Sequence, residues 1–125
     1  MNALEVIDLC IRYDNVTAVS NVSFKLTPDQ YRCLLGPSGC GKTSTLRAIA
    51  GHESVSSGEV IVGGKNVTDL APAKRPTSMM FQDYALFPHL SVLDNVAFAL
   101  KIAGMQKTQR HTVALEYLRK VQLEE

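Results

Sequence analysis

Gly36-Pro37-Ser38-Gly39-Cys40-Gly41-Lys42-Thr43 decides how this chain is read. The run fits Gly-x-x-x-x-Gly-Lys-Ser/Thr, a pattern in which each residue type answers a demand of a bound triphosphate. Phosphate oxygens need several convergent N–H donors, and glycine lets the backbone curl around them without a Cβ clash. The helix that follows directs its positive end at the anion. Lys42 can reach the β- and γ-phosphates as a mobile point charge, and the Thr43 hydroxyl can bind Mg²⁺. A random chain of this length carries the pattern about once in a few hundred cases. The flanking residues supply the context it needs. Tyr31–Leu35 is short and apolar after Arg32, as in a strand buried on both faces. Ser44 to Ala50 favour helix, with Leu46, Ile49 and Ala50 on one face and Gly51 as the stop. A glycine turn without a ligand explains this arrangement poorly, so the run is read as a nucleoside-triphosphate site.

Toward the N-terminus, Leu9, Ile11 and Tyr13 alternate with Asp8, Cys10 and Arg12, giving a strand with one apolar face. Asp14-Asn15 is a turn pair, after which Val16 to Val19 returns as the second arm of a hairpin. Val22, Phe24 and Leu26 alternate again before Thr27-Pro28-Asp29-Gln30 breaks the run. Connections this short predict antiparallel pairing. Downstream of the loop, Ser56-Ser57-Gly58 is a turn, Glu59 to Val62 a strand and Gly63-Gly64 a second turn. Pro72 and Pro76 bracket a polar loop, and Thr77 to Phe81 reads as a second core strand. From Ser91 the period becomes helical. Ser91 and Asp94 form a capping box with Asp in place of the usual Glu. Val92, Val96, Leu100 and Ala103 share a face, and Gly104 ends that helix. A second amphipathic helix starts near Thr108, with Ala114, Leu118 and Val121 on one stripe and no stop signal before Glu125.

Composition narrows the function classes. The 125 residues suit one domain of ordinary size, and 13 basic residues against 12 acidic ones leave a net charge of +1. That balance argues against a nucleic-acid surface or a charged disordered tail. No stretch approaches the roughly 20 consecutive apolar residues of a membrane span, and Glu5 stands where a signal peptide would be basic, so a cytosolic location is expected. Cys10, Cys33 and Cys40 form no Cys-x-x-Cys pair. Cys10 and Cys33, in apolar runs, read as small buried hydrophobes. Cys40 lies among aligned N–H dipoles that favour a thiolate, so it is expected to react with alkylating agents and to be shielded by nucleotide. His52, His89 and His111 lack ligand-like spacing, and no zinc site is expected.

A phosphate loop alone leaves several enzyme classes open, and the surrounding residues narrow them. The chain resembles the N-terminal part of the ATP-binding subunit of an ABC transporter, of importer type. Three segments carry the resemblance: Tyr13-Asp14-Asn15-Val16-Thr17-Ala18-Val19; Leu35-Gly36 through Thr43 with Leu46-Arg47-Ala48-Ile49-Ala50-Gly51; and Met80-Phe81-Gln82-Asp83-Tyr84-Ala85-Leu86-Phe87-Pro88-His89-Leu90. The third is specific to the family. Arg75-Pro76 leading into Met79-Met80-Phe81-Gln82 is most similar to the polyamine-importer branch, and related subunits serve ferric iron, sugars and sulfate.

The resemblance implies an α/β P-loop NTPase fold of ABC type. Its parts are an antiparallel β subdomain, a partial parallel core sheet and the start of a helical subdomain, the domain being incomplete. Residues 1–90 would form the β subdomain and ATP-binding core, and residues 91–125 the start of the helical part. It further implies that Tyr13 stacks on adenine, which suits an aromatic at a strand end because its flat face costs little to order. ATP with Mg²⁺ is the implied ligand. Gly36, Pro37, Ser38, Gly39, Cys40, Gly41, Lys42, Thr43 and Ser44 would hold the phosphates. Thr43 and Gln82 would hold the metal, and Lys42 and Gln82 would act in catalysis. An amide suits the Gln82 role because its carbonyl can coordinate metal while its NH₂ donates.

Permease subunits would dock at the Gln82–Leu90 region, where Phe87, Pro88, His89 and Leu90 form an apolar group. A second ATP-binding subunit would pair head to tail on the cytoplasmic face of the membrane, and nucleic acid is not a partner. The family's Leu-Ser-Gly-Gly-Gln signature, second acidic motif and switch histidine do not occur in these 125 residues. An N-terminal fragment that binds ATP without hydrolysing it alone is therefore expected, with exposed strand edges and poor solubility because the family's core sheet takes later strands. The rival readings are a stand-alone nucleotide-binding or regulatory module and a small phosphotransferase. The second lacks an arginine-rich lid.

Overall fold

The alternation at the N-terminus folds as a hairpin. Strands β1 (Leu4–Tyr13) and β2 (Val16–Leu26) pair antiparallel around the Asp14-Asn15 turn, with Tyr13 opposite Val16 and Leu4 opposite Leu26. This computed structural model describes residues 1–124. The two runs expected on the return arm, Val16–Val19 and Val22–Leu26, join into one strand of 11 residues. Val19 is out of phase with Val22, Phe24 and Leu26, and a regular strand would turn it to the other face. The ladder avoids this by shifting register between Val6 and Leu9, Leu9 and Ile11, and Ile11 and Arg12, with Asn21 at φ 49°. Such bulges reverse which residues face inward, so Val19 and Val22 both contribute to the core.

Strand β3 (Ser57–Val62) pairs antiparallel with the other edge of β1, and β4 (Lys65–Asn66) returns through the Gly63-Gly64 turn. The sheet order is β2-β1-β3-β4. Val6, Leu9, Ile11, Val60 and Val67 are fully buried together with Ala48 of helix α1 (Lys42–Ala50). Each of the larger side chains contributes about 1.5–3 kcal/mol by leaving water. Gly51 ends α1 at φ 89°, where its N–H reaches the Ala48 carbonyl and the His52 N–H reaches that of Arg47. Beneath this end lies Arg75, 7% exposed. Its guanidinium donates to the carbonyls of Ala48, Ile49, Thr68 and Leu70 at 2.7–3.0 Å. A cation there meets the negative end of the helix, and burial pushes its pKa down from the usual arginine range.

Two compact units divide the chain, Met1–Met79 and Met80–Glu125. The second holds helices α2 (Val92–Ile102) and α3 (Lys107–Lys120). Ser91 caps α2 as the sequence predicts, its Oγ accepting from the Asp94 N–H at 3.1 Å. The buried face differs from the expected one. Ala97 is buried while Val92 and Val96 are exposed, because α3 applies its buried Ala114 and Leu118 to the side of α2 where a small residue permits close approach. Val121, expected on the α3 stripe, is exposed because the helix stops at Lys120. A hydrogen bond of 2.8 Å between His111 and Asp94 ties α3 to the first turn of α2.

The two expected core strands have no ladder. Neither Tyr31–Leu35 nor Thr77–Phe81 is strand, and neither enters the sheet described above. Tyr31 is 100% and Leu35 91% exposed, and Cys33, expected to be buried, is exposed with them. A strand covered on both faces and paired on both edges needs neighbours to supply those contacts. No described strand supplies them. The antiparallel part of the α/β reading is therefore present, and the parallel core sheet is absent among the described residues.

Candidate functional site

The phosphate loop runs from Gly36 to Gly41 and hands over to α1 at Lys42. Gly41 is the N-cap residue at φ 90°, and its conformation and surroundings both demand glycine. A Cβ there would collide with the Ala18 carbonyl and stand 3.0 Å from Val19 Cγ2, so the loop sits directly on β2. The first turn of α1 receives no side-chain cap and contains no acidic residue. Its leading N–H groups therefore stay available to an anion, and the helix dipole favours one. Thr45, one turn in, is buried and donates to the Gly41 carbonyl at 2.8 Å, which holds the entry to the helix.

Lys42 turns back over the loop. Its ammonium donates to the carbonyls of Gly36 at 2.5 Å and Pro37 at 2.8 Å, and to Cys40 Sγ at 3.3 Å. The curl of the loop thus closes around the cation that a triphosphate requires. Pro37, Ser38, Gly39, Cys40 and Thr43 are exposed, and Ser44 is partly buried. Uncapped N–H donors beside an ammonium suit phosphate oxygens. An exposed hydroxyl at Thr43 suits Mg²⁺, which keeps most of its waters and takes one or two protein oxygens along with the phosphates.

Tyr13 ends β1 in the same unit and is 44% exposed. Its hydroxyl donates to Glu53 Oε2 at 2.6 Å, and Arg47 Nε lies 3.9 Å from the same oxygen. Sequence reasoning did not find Glu53, which stands 40 residues from Tyr13 with no periodicity linking the two. A cleft of about 510 Å³ at the C-terminal end of α1 is lined by Gly51, Glu53, Thr68, Asp69 and Arg75 among others. Its carboxylates and carbonyls suit phosphate poorly. A second cleft of about 490 Å³ lies between β2 and residues 32–35 and reaches Cys40, Gly41 and Lys42 at the loop.

Gln82 belongs to the second unit, exposed in a turn over residues 82–85 where Tyr84 and Ala85 have φ of 61° and 48°. The apolar group after it is held from below. Asn95 Oδ1 accepts from the Phe87 N–H, and its Nδ2 donates to the carbonyls of Phe87, Leu90 and Ser91 at 3.0–3.3 Å. Phe87 also packs on Phe98, with ring centroids 4.4 Å apart. One asparagine in the first turn of α2 thereby fixes the shape of the Phe87–Leu90 segment. The only sequence signal for it is an amide placed four residues after the cap.

Comparison with known proteins now bears on this arrangement. The sequence pattern of the family described as "ABC transporter" matches residues 19–125. The chain is 45% identical over 122 residues to the spermidine/putrescine import ATP-binding protein PotA of Roseobacter denitrificans, covering 98% of this chain and 34% of the relative. It is 46% identical over 121 residues to the uncharacterized ABC transporter ATP-binding protein YdcT of Escherichia coli, at 97% and 36% coverage. The Fe(3+) ions import ATP-binding protein FbpC of Brucella suis matches at 48% over 112 residues, at 90% and 32%. The chain therefore spans about a third of the length of these relatives. Among solved structures, the dimeric ATP-binding cassette MJ0796 in a post-hydrolysis state with ADP and Pi matches with a TM-score of 0.86 at 26% identity, covering 98% of this chain and 58% of that one. Among the described residues, no helix is long and apolar enough to cross a membrane.

Proposed function

The chain belongs to the ABC transporter family as its ATP-binding component, and from that premise we propose that it supplies the nucleotide-gripping part of an importer ATPase. The observation that carries this reading is the uncapped start of α1 with Lys42 closed over the loop before it. Gly36 to Ser44 hold the triphosphate, Tyr13 stacks on adenine, and Thr43 and Gln82 hold Mg²⁺. The bound metal ion offsets phosphate charge, and Lys42 meets the β- and γ-oxygens. Residues 1–90 serve as β subdomain and ATP-binding core, and residues 91–125 begin the helical subdomain. In the intact protein a second such subunit completes the site, and permease subunits dock on the Gln82–Leu90 region at the cytoplasmic face of the membrane. Two relatives are named for spermidine/putrescine and for Fe(3+) ions; we place this chain with the polyamine or related small-solute importers.

The 125 residues contain no acidic motif to polarise an attacking water. We therefore propose that this chain binds MgATP and does not turn it over alone. Titration with ATP by calorimetry, alongside a phosphate-release assay, tests both parts. Saturable binding that Lys42→Ala weakens about thirtyfold, with no phosphate released, is the expected result. Phosphate release that disappears in Lys42→Ala would overturn the inactivity, and binding indifferent to that substitution would overturn the site.

A further inference from the structure

The phenol of Tyr13 is engaged by a carboxylate that comes from the far end of the phosphate-loop helix. We propose that Glu53, steadied by Arg47, is a positioning residue for the nucleobase: it sets the Tyr13 ring and so sets how strongly the site prefers a nucleotide to bare polyphosphate. The inference rests on the reading of Tyr13 as the base platform.

Tyr13 ends its strand and is 44% exposed, so packing alone does not hold its ring. An exposed aromatic that must be ordered on binding loses side-chain entropy, and that loss weakens the complex. A bond of 2.6 Å from its hydroxyl to Glu53 Oε2 removes much of this freedom in advance. The bond is charge-assisted and short, the stronger kind of hydrogen bond. It reaches the ring at its edge, in the ring plane, and leaves the stacking faces unspent.

The carboxylate is itself held. Its side chain is only 18% exposed, with Arg47 Nε at 3.9 Å. Arg47 lies in the last turn of α1, the helix whose other end cradles the phosphates, and donates to the His52 carbonyl at 3.4 Å. The segment carrying Glu53 is stitched to β1: the Ser56 N–H donates to the Cys10 carbonyl, and Ser56 Oγ accepts from the Arg12 N–H, both at 2.9 Å. Strand end, connecting segment and helix thus form one frame, in which the base platform is referenced to the phosphate helix through Glu53 and Arg47.

The test compares the dissociation constants of ATP and inorganic tripolyphosphate, both with Mg²⁺, for the full chain and its Glu53→Ala, Glu53→Gln, Tyr13→Phe and Tyr13→Ala variants. Glu53→Ala should weaken ATP by about 3- to 10-fold, the effect of leaving one side chain to be ordered on binding, and leave tripolyphosphate within about twofold. Glu53→Gln, which keeps an acceptor, should recover most of the loss. Tyr13→Phe should lose as much as Glu53→Ala, with no further loss in the double variant. Equal weakening of both ligands by Glu53→Ala, or additive losses in the double variant, would overturn the positioning role. So would an unchanged ATP affinity in Glu53→Ala while Tyr13→Ala selectively weakens ATP, and in that case the base platform stands. If Tyr13→Ala leaves the ratio of the two constants unchanged, the platform itself falls, and the positioning role with it.

Discussion

The two ends of α1 are built to opposite specifications. At the C-terminal end three carbonyls of the last turn find partners: Gly51 and His52 return N–H groups to Ala48 and Arg47, and the Arg75 guanidinium takes the carbonyls of Ala48 and Ile49. At the N-terminal end the donors receive no side-chain cap, and no acid occupies the first turn. Helix α2 shows the ordinary alternative, with Ser91 and Asp94 closing its N-terminus. The contrast teaches that one helix can be anchored at one end in order to leave the other open to an anion. Anchoring the C-terminal end fixes the helix without spending any donor at the end that binds.

Breaking the anchored end should have the largest effect. Arg75→Met strands the carbonyls of Ile49, Thr68 and Leu70, while that of Ala48 keeps the Gly51 N–H, and should cost about 3–4 kcal/mol of stability in the first unit, since buried unpaired acceptors cost roughly 1–3 kcal/mol each and some will find water. A large fall in Tm checks it, and an unchanged Tm would refute the account of Arg75. Breaking the open end should show in affinity instead. Lys42→Ala should weaken ATP about thirtyfold, roughly 2 kcal/mol, with little change in Tm. Calorimetric titration and thermal unfolding of the same variant separate the two effects.

Smaller effects sharpen the contrast. Gly41→Ala forces a side chain into φ 90° against the Ala18 carbonyl, and should lower stability by about 1–2 kcal/mol while also weakening ATP. Equilibrium urea unfolding measures the first part. The smallest effect belongs to α2, where the carboxylate of Asp94 lies at the helix start. Hydrogen bonds from His111 first, and Ser91 second, hold its pKa below the ordinary value of 3.8. A lowered carboxylate pKa contributes stability that is present above the unfolded value and lost as pH falls through the folded one. The helical signal of the second unit should hold steady down to about pH 4 and weaken below it. Asp94→Asn should remove that acid dependence, and an unaltered acid transition in the variant would count against it.

The legibility of the sequence followed the range of the interactions. The phosphate loop could be read because its eight residues are contiguous and its geometry is backbone geometry, which glycine placement announces. The β1–β2 hairpin could be read for the same reason, through alternation and a two-residue turn. The bulges around Asp8 and Asn21, both at positive φ, could not, because they reconcile two phases that only the packed sheet brings into conflict. Tyr31–Leu35 shows the limit most directly. It is as apolar as β1, yet β1 is a strand and it is not, since β1 has a neighbour on each edge and Tyr31–Leu35 has none among the described residues.

By itself, then, the sequence determined the phosphate loop, the helix behind it and the family to which the chain belongs, because these depend on neighbours within a turn or two. Only the tertiary structure decided that Arg75 anchors α1, that Asn95 shapes the Phe87–Leu90 segment and that Glu53 holds Tyr13. The Arg75–α1 and Tyr13–Glu53 bonds join residues 26, 27 and 40 positions apart. Asn95 is close to its partners in sequence, but its four bonds exist only once the turn after Gln82 has folded onto α2. A hydrogen bond carries no trace in composition or period until folding brings its two partners within about 3 Å.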